Sequence, residues 1–269
     1  MVTPLRRALQ AVGLLAAPAS AVTPQSLARD FARTLIGPTQ SVDASANGPT
    51  RVRGNLEEYF SAHHTGPGIW KWLHYFDMYE KHLAKFVGRA VHVVEIGVYS
   101  GGSLEMWRRY FGADCRVTGV DIEPACKRHE NEFTTIVIGD QADREFWMRF
   151  RKTAAPVDVL IDDGGHTFEQ QRVTFEEILP LLTPGGVYIC EDMHATNNPF
   201  ANYLHTLADE LNDFGEQSTA GVLGTRANPV QQTIASLHFY PFAAVLEKNE
   251  RVVEGFSAPK QGTQWEPFL

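Results

Sequence analysis

Cysteine is scarce, and positive charge is outnumbered. The 269 residues hold three cysteines, Cys115, Cys126 and Cys190, and none forms a C-x-x-C pair. So few, so scattered, they exclude a disulfide framework and a thiolate zinc site, and buried free thiols are expected instead. No apolar run reaches the length that spans a bilayer. Lys and Arg number 24 against 32 Asp and Glu, a formal net charge of −8. That balance argues against a broad phosphate-binding surface, so no nucleic-acid partner is expected. Apolar side chains, in contrast, are plentiful. They make up 43% of the chain against 21% charged, enough for a sizeable core.

Met1 to Arg29 contains no Asp or Glu. Arg6 and Arg7 precede ALQAVGLLAAPASA, which ends in the small residues Ala19-Ser20-Ala21. This has the form of a weak targeting segment, but Gln10 and Gly13 interrupt it, and a short helix laid on a domain has the same look. The stretch GPTQSVDASANGPTRVRG, Gly37 to Gly54, reads as a linker. The expected organisation is an N-terminal appendage and linker over 1–54, a helical lead-in over 55–90, the main domain over 91–249 and a tail over 250–269. The end of that tail, TQWEPFL, offers a Trp and a Phe either to the domain or to a second copy in a homo-oligomer.

From Trp70 the pattern becomes regular. IWKWLHYFDMYEKHLAKF has helical apolar spacing, which predicts one helix carrying Trp70, Trp72, His74, Tyr75 and Tyr79. Its aromatics suit either a core or the wall of an acceptor pocket. Strands and helices then alternate: HVVEIGVY, SLEMWRRYFG, RVTGVDIE, TTIVIGD, DREFWMRFRK, VDVLIDDG, FEQQRVTFEEILPLL, GGVYICED and FANYLHTLADELNDF. SLHFYPFAAVLEK holds two strand-like runs with no helix between them. Alternation implies parallel pairing through crossovers, and two adjacent strands pair antiparallel. The expected fold is α/β: a doubly wound, mostly parallel seven-stranded sheet ending in an antiparallel hairpin. In such open sheets ligands bind beyond the carboxyl ends of the strands.

The first strand runs into Glu95-Ile96-Gly97-Val98-Tyr99-Ser100-Gly101-Gly102-Ser103. Glycines between a strand and a helix allow close backbone approach to a ligand, and Glu95, Gly97, Tyr99, Gly101 and Ser103 are the candidates for cofactor contact. The spacing is not G-x-G-x-x-G, which weakens a dinucleotide reading. The second strand ends at Asp121-Ile122, where a carboxylate can accept from both hydroxyls of a ribose. The third ends at Gly139-Asp140-Gln141. There Asp140 serves equally well as a helix cap ahead of ADREFW.

In order and with similar spacing, EIGVYSGGSLEMWRRYF, GVDIEP, GDQAD, IDDGGH, LTPGGVYICED and SLHFYPFAAVLEK resemble the metal-dependent sugar O-methyltransferases of macrolide biosynthesis, the macrocin and mycinamicin enzymes, and the related cephalosporin hydroxylase-like proteins. The resemblance runs from about Trp70 to Lys248. It implies the class I methyltransferase fold, bound S-adenosyl-L-methionine, a divalent metal such as Mg2+ or Mn2+, and methyl transfer to a hydroxyl of a sugar or glycosylated small molecule. In such a fold the third-strand edge faces the adenine, so Asp140 or Gln141 would meet its amino group. A cofactor made in the cytosol implies a cytoplasmic protein.

Strand four ends in Asp162-Asp163-Gly164-Gly165-His166 and strand five in Glu191-Asp192. Side by side, these carboxylates repel, and a hard divalent cation would neutralise them. Asp163, Glu191 and Asp192 are therefore the expected metal ligands, in agreement with the family pattern. His166 is the expected general base for the acceptor hydroxyl, Asp162 faces the cofactor or caps the next helix, and His194 is a reserve. An Asn/Asp-Pro-Pro-aromatic motif, which adenine N-methyltransferases carry, is absent after strand four. No two-His-one-carboxylate set at recognisable spacing supports iron chemistry. A metal-independent methyltransferase and a non-catalytic cofactor-binding subunit are the competing readings.

Overall fold

A computed structural model describes residues 23–35, 54–215, 217–219 and 222–264. The chain divides into two units, Met1–Val52 and Arg53–Leu269. In the first, helix α1 (Pro24–Thr34) starts at Thr23, whose side chain and that of Ser26 form a reciprocal capping box. The targeting-like segment, most of the linker and Trp265–Leu269 lie outside the described residues.

The second unit opens with α2 (Asn55–Ala62) and α3 (Tyr75–Leu83). Then come β1 (His92–Ile96), α4 (Gly102–Phe111), β2 (Arg116–Asp121), β3 (Thr134–Ile138), α5 (Arg144–Thr153), β4 (Val157–Asp162), α6 (Phe168–Ile178), β5 (Leu182–Cys190) and α7 (Pro199–Leu211). The chain continues through β6 (Gln217–Thr219), β7 (Val222–Arg226), α8 (Pro229–Thr233), β8 (Ile234–Tyr240), β9 (Ala243–Lys248) and β10 (Gly255–Ala258). Seven strands form one sheet in the order β3-β2-β1-β4-β5-β9-β8, parallel up to β5 and antiparallel in the last pairings. This is the expected doubly wound sheet with its terminal hairpin.

Alternation along each strand feeds two cores. Val93, Val117, Val159 and Ile161 face a layer holding Leu56, Tyr75, Phe76, Tyr79, Trp107 and Phe111. Val94, Val120 and Leu160 face Trp147, Phe150, Phe175 and Phe200 on the other side. Helices cover both faces, so the central strands read as near-continuous apolar runs rather than half-polar ones. All three cysteines are buried and free.

Two features depart from the sequence expectation. The helix predicted from Trp70 begins only at Tyr75, because the chain turns at Gly66 and Pro67 and then runs without helix past the start of α4. There the Gly102 N–H donates to the Gly68 carbonyl at 3.2 Å, and a Cβ on Gly102 would collide with the carbonyls of Pro67 and Gly68. Trp70 and Trp72 are therefore not helical. Secondly, β10, β7 and β6 form a separate three-stranded sheet, so part of the expected tail pairs with β7. Among the described residues no helix is long and apolar enough to cross a membrane.

Candidate active site

The carboxyl ends of β1, β2, β3, β4 and β5 open on one cavity of ≈ 680 Å³, within the usual range for small-molecule sites. Gly97 makes the first turn possible. Its φ is +87°, and a Cβ there would run into the Asp163 carbonyl. Asp121 shapes the rest of the loop, accepting from the N–H groups of Val98 at 2.8 Å, Tyr99 at 3.0 Å and Glu123 at 2.9 Å. Burial opposes its charge, but those N–H groups outweigh it and hold the carboxyl below its usual range. Tyr99 and Ile122 are 75% and 67% exposed on the cavity wall, apolar surface free for a flat ligand.

Of the expected cofactor residues, Gly97, Tyr99, Ser103, Asp121, Ile122, Asp140 and Gln141 line the cavity. Glu95, Gly101 and Asp162 are not among its lining residues. Glu95 is fully buried and accepts from the Ser103 hydroxyl at 2.8 Å. Asp162 neither caps a helix nor faces the cavity. It accepts from Gln141 at 3.0 Å and Tyr188 at 3.0 Å, and burial pushes its carboxyl up to about 7. Thr167 caps α6 instead, in a capping box with Gln170. Asp140 does not cap α5 either; Asp143 does, and Asp140 bonds the Ala142 N–H at 2.8 Å. The Gln141 amide is spent on Asp162, Thr174 and the Gly165 N–H.

At the β4 and β5 ends, His166 Nε2 lies 4.0 Å from Asp163 Oδ1 and 3.8 Å from Asp192 Oδ2. These three residues offer ligand atoms all within 4.8 Å of one another, the spacing a small cation needs. Glu191 is not in that group. Its Oε1 accepts from the Tyr79 hydroxyl at 2.6 Å and its Oε2 from Lys71 at 3.0 Å. Burial, only partly offset by Lys71, pushes its carboxyl up to about 8.

Lys71 is the residue that sequence reasoning missed. Its ammonium, with a side chain 2% exposed, meets Asp163 Oδ2 at 2.6 Å, Glu191 Oε2 at 3.0 Å and Glu95 Oε1 at 3.6 Å. Burial disfavours its charge, yet Glu191, Asp163 and Glu95 outweigh this and raise it well above the usual range. Lys71 thus brings one positive charge from the chain itself to the carboxylates at the β4 and β5 ends. The same segment pins Asp192, whose Oδ1 accepts from the Trp72 indole at 3.0 Å and the Tyr75 hydroxyl at 2.9 Å. Trp70 and Trp72 line the cavity, whereas Tyr75 and Tyr79 are buried behind the carboxylates they hold. His194 packs against Trp72 and Phe242 at the rim, its Nε2 3.7 Å from Asp192 Oδ1.

Away from the cavity lining, His82, His238 and Glu247 form a second cluster of two histidines and a carboxylate, invisible as spacing because it joins α3 to β8 and β9. Both nitrogens of His82 are already engaged, by Glu247 at 2.8 Å and Tyr240 at 2.8 Å, and Lys85 sits 3.7 Å from Glu247. It is a polar strut between helix and sheet.

Residues 94–193, the stretch from β1 through the β5 carboxylates, match the family model described as a methyltransferase domain. The chain is similar to sugar O-methyltransferases of antibiotic biosynthesis. The 8-demethyl-8-alpha-L-rhamnosyl tetracenomycin-C 2'-O-methyltransferase of Streptomyces olivaceus is 37% identical over 65% of this chain and 50% of its own length. The mycinamicin VI 2''-O-methyltransferase of Micromonospora griseorubida is 34% identical over 80% of this chain and 57% of its own. Among solved structures, the MycE methyltransferase of the mycinamycin pathway, in complex with Mg and SAH, aligns with a TM-score of 0.61 at 28% identity, over 74% of this chain and 55% of that one. The chain spans about half the length of these curated relatives. Lys71 and Trp72 precede the stretch that matches the family model.

Proposed function

We propose that the chain is a divalent-metal-assisted O-methyltransferase that uses S-adenosyl-L-methionine to methylate a hydroxyl of a sugar or glycosylated small molecule. The observation that carries this reading is the pairing of a cleft at the ends of β1 and β2, walled by Gly97, Tyr99, Asp121 and Ile122, with the Asp163–His166–Asp192 cluster on the same cavity. The donor set fits the groups. Asp121 retains carboxylate lone pairs for ribose hydroxyls beyond its three backbone bonds. Asp163 Oδ1 and Asp192 Oδ2 are hard oxygens, suited to Mg2+ or Mn2+.

When bound, S-adenosylmethionine would supply a sulfonium-activated methyl group, and a divalent ion would acidify the acceptor hydroxyl. The chain's own residues do the rest. Asp163, Glu191 and Asp192 would hold a divalent ion beside the acceptor hydroxyl, Trp72 and Tyr75 fix the Asp192 carboxylate, and His166 would take the hydroxyl proton at Nε2 as the oxygen–methyl bond forms and the methyl–sulfur bond breaks, releasing S-adenosylhomocysteine. Trp70 and Trp72 present aromatic faces for a sugar ring or flat scaffold. The reading includes a cytoplasmic location, where the cofactor is made, and no nucleic-acid partner.

Calorimetric titration tests the cofactor half. S-adenosylhomocysteine should bind and NAD should not. Binding of NAD without S-adenosylhomocysteine would refute it.

A further inference from the structure

Two glycines, Gly164 and Gly165, separate Asp163 from His166, and neither has a positive φ that would call for glycine. Space calls for them instead. A Cβ on Gly164 would collide with the Gln141 amide oxygen, and one on Gly165 with the Gln170 amide. From Gly164 to His166 the backbone makes no hydrogen bond to other backbone among the described residues, although His166 is held at a φ of 57°. A side chain anchors the turn: the Gly165 N–H donates to Gln141 Oε1 at 2.7 Å. Gln141 is buried and held in its turn from α5, β4 and α6. Its carbonyl accepts from the Trp147 indole at 2.8 Å, and its Nε2 donates to Asp162 Oδ1 at 3.0 Å and to Thr174 Oγ1 at 3.1 Å.

We propose that Gln141 is a positioning residue for His166: Asp162 orients its amide, and the amide oxygen pins the Gly164-Gly165-His166 turn. This rests on the reading of His166 as the base. The side chain then serves the base, in place of the adenine contact expected from the sequence. The argument is one of hydrogen-bond sense. Turned over, the amide would set its oxygen against the Asp162 carboxylate and its N–H groups against the Gly165 N–H, two repulsive contacts in a buried place. With Asp162 an acceptor on one side and Gly165 a donor on the other, one orientation satisfies both. The paired glycines belong to the same device, since any Cβ at Gly164 would displace the oxygen that holds Gly165. Without that hydrogen bond nothing in the turn's own backbone opposes relaxation of His166 out of its left-handed conformation.

Amide hydrogen exchange at Gly165 and the imidazole signals of His166, both read by NMR on the full chain, test this. Circular dichroism reports the fold of each variant, and calorimetry its affinity for S-adenosylhomocysteine. In Gln141→Met, which keeps the length and loses the amide, Gly165 exchange should rise by roughly tenfold. The His166 signals should shift or split, while S-adenosylhomocysteine affinity stays within about threefold of wild type. Gly164→Ala should do the same with Gln141 intact, so the test survives if one of the two fails to fold. The swapped pair Asp162→Asn/Gln141→Glu reverses the hydrogen bond between the two side chains and keeps an acceptor for Gly165. It should return Gly165 exchange and the His166 signals to within about threefold of wild type. Unchanged Gly165 exchange and His166 signals in folded Gln141→Met would overturn the proposal, and a tenfold loss of S-adenosylhomocysteine affinity beside them would make Gln141 a cofactor residue. A folded swapped pair that restores neither signal would also overturn it, because Asp162 would not be orienting the amide. Failure of the base reading shows elsewhere, as unchanged kcat in His166→Ala, and is distinct from any of these results.

Discussion

His166, Tyr99 and Asp192 sit at φ values of 57°, 48° and 56°, in the left-handed region that side chains other than glycine rarely adopt. Such conformations cost about 1–3 kcal/mol each and gather where geometry matters more than comfort. Replacing His166 by Ala should leave S-adenosylhomocysteine and Mn2+ binding near wild type while cutting kcat by about 10²–10⁴, the range for a lost general base; unchanged kcat would remove His166 from the chemistry. Asp121 yields a pH prediction. Its carboxyl is held below its usual 3.8, so its contribution to stability is present above that value and is lost as pH falls through the depressed one. Asp121→Asn should therefore unfold at lower urea than wild type at neutral pH, and the two midpoints should converge in acid below 3.8. A gap that persists in acid would show that the loop does not depend on that charge. That Asp121, Asp163 and His166 stand on the cavity was legible because Asp121 and Asp163 end apolar strand runs and His166 follows the Gly164-Gly165 turn. Lys71 was not. Its partners lie 92 and 120 residues away, and a lone lysine between two tryptophans carries no local signal.

The extended segment ahead of α3 shows why periodicity misled there. Apolar spacing suggests burial, but the aromatics of this stretch have two different environments, Trp70 and Trp72 being exposed. Trp70 and Trp72 face a cavity, while Tyr75, Phe76 and Tyr79 face the core. The same sequence therefore looks like one helix and is two elements. The strands of the second sheet carried little signal because they are short, and β10 is exposed along its whole length. The five parallel strands were readable because helices on both faces make them continuously apolar. At this scale the testable element is the Trp70–Trp72 wall. Trp72→Ala should raise the acceptor KM and leave S-adenosylhomocysteine affinity near wild type in calorimetry, since the Trp72 indole bonds Asp192 and not the glycine loop. Loss of folding in that variant would assign Trp72 to the core instead, against its 47% exposure.

Taken as a whole, the molecule places two different chemistries at one end of one sheet. The β1 and β2 edge offers glycine turns, a carboxylate and exposed apolar surface to a cofactor. The β4 and β5 edge offers free carboxylate oxygens and an imidazole to a cation and an acceptor. The antiparallel β8–β9 pair closes the far side, and Phe242 between those strands packs on Trp72 with ring centroids 5.5 Å apart. The strand order brings these edges together, and the segment before β1 supplies the donors that hold the acidic one in register. The most direct measurement is a methylation assay on a panel of glycosides with S-adenosylmethionine, read by mass, with and without a chelator. The account predicts that at least one glycoside gains a single methyl group in Mg2+ or Mn2+, that chelator abolishes the gain, and that added metal restores it. Full methylation in the presence of chelator, with no metal found in the protein, would contradict it.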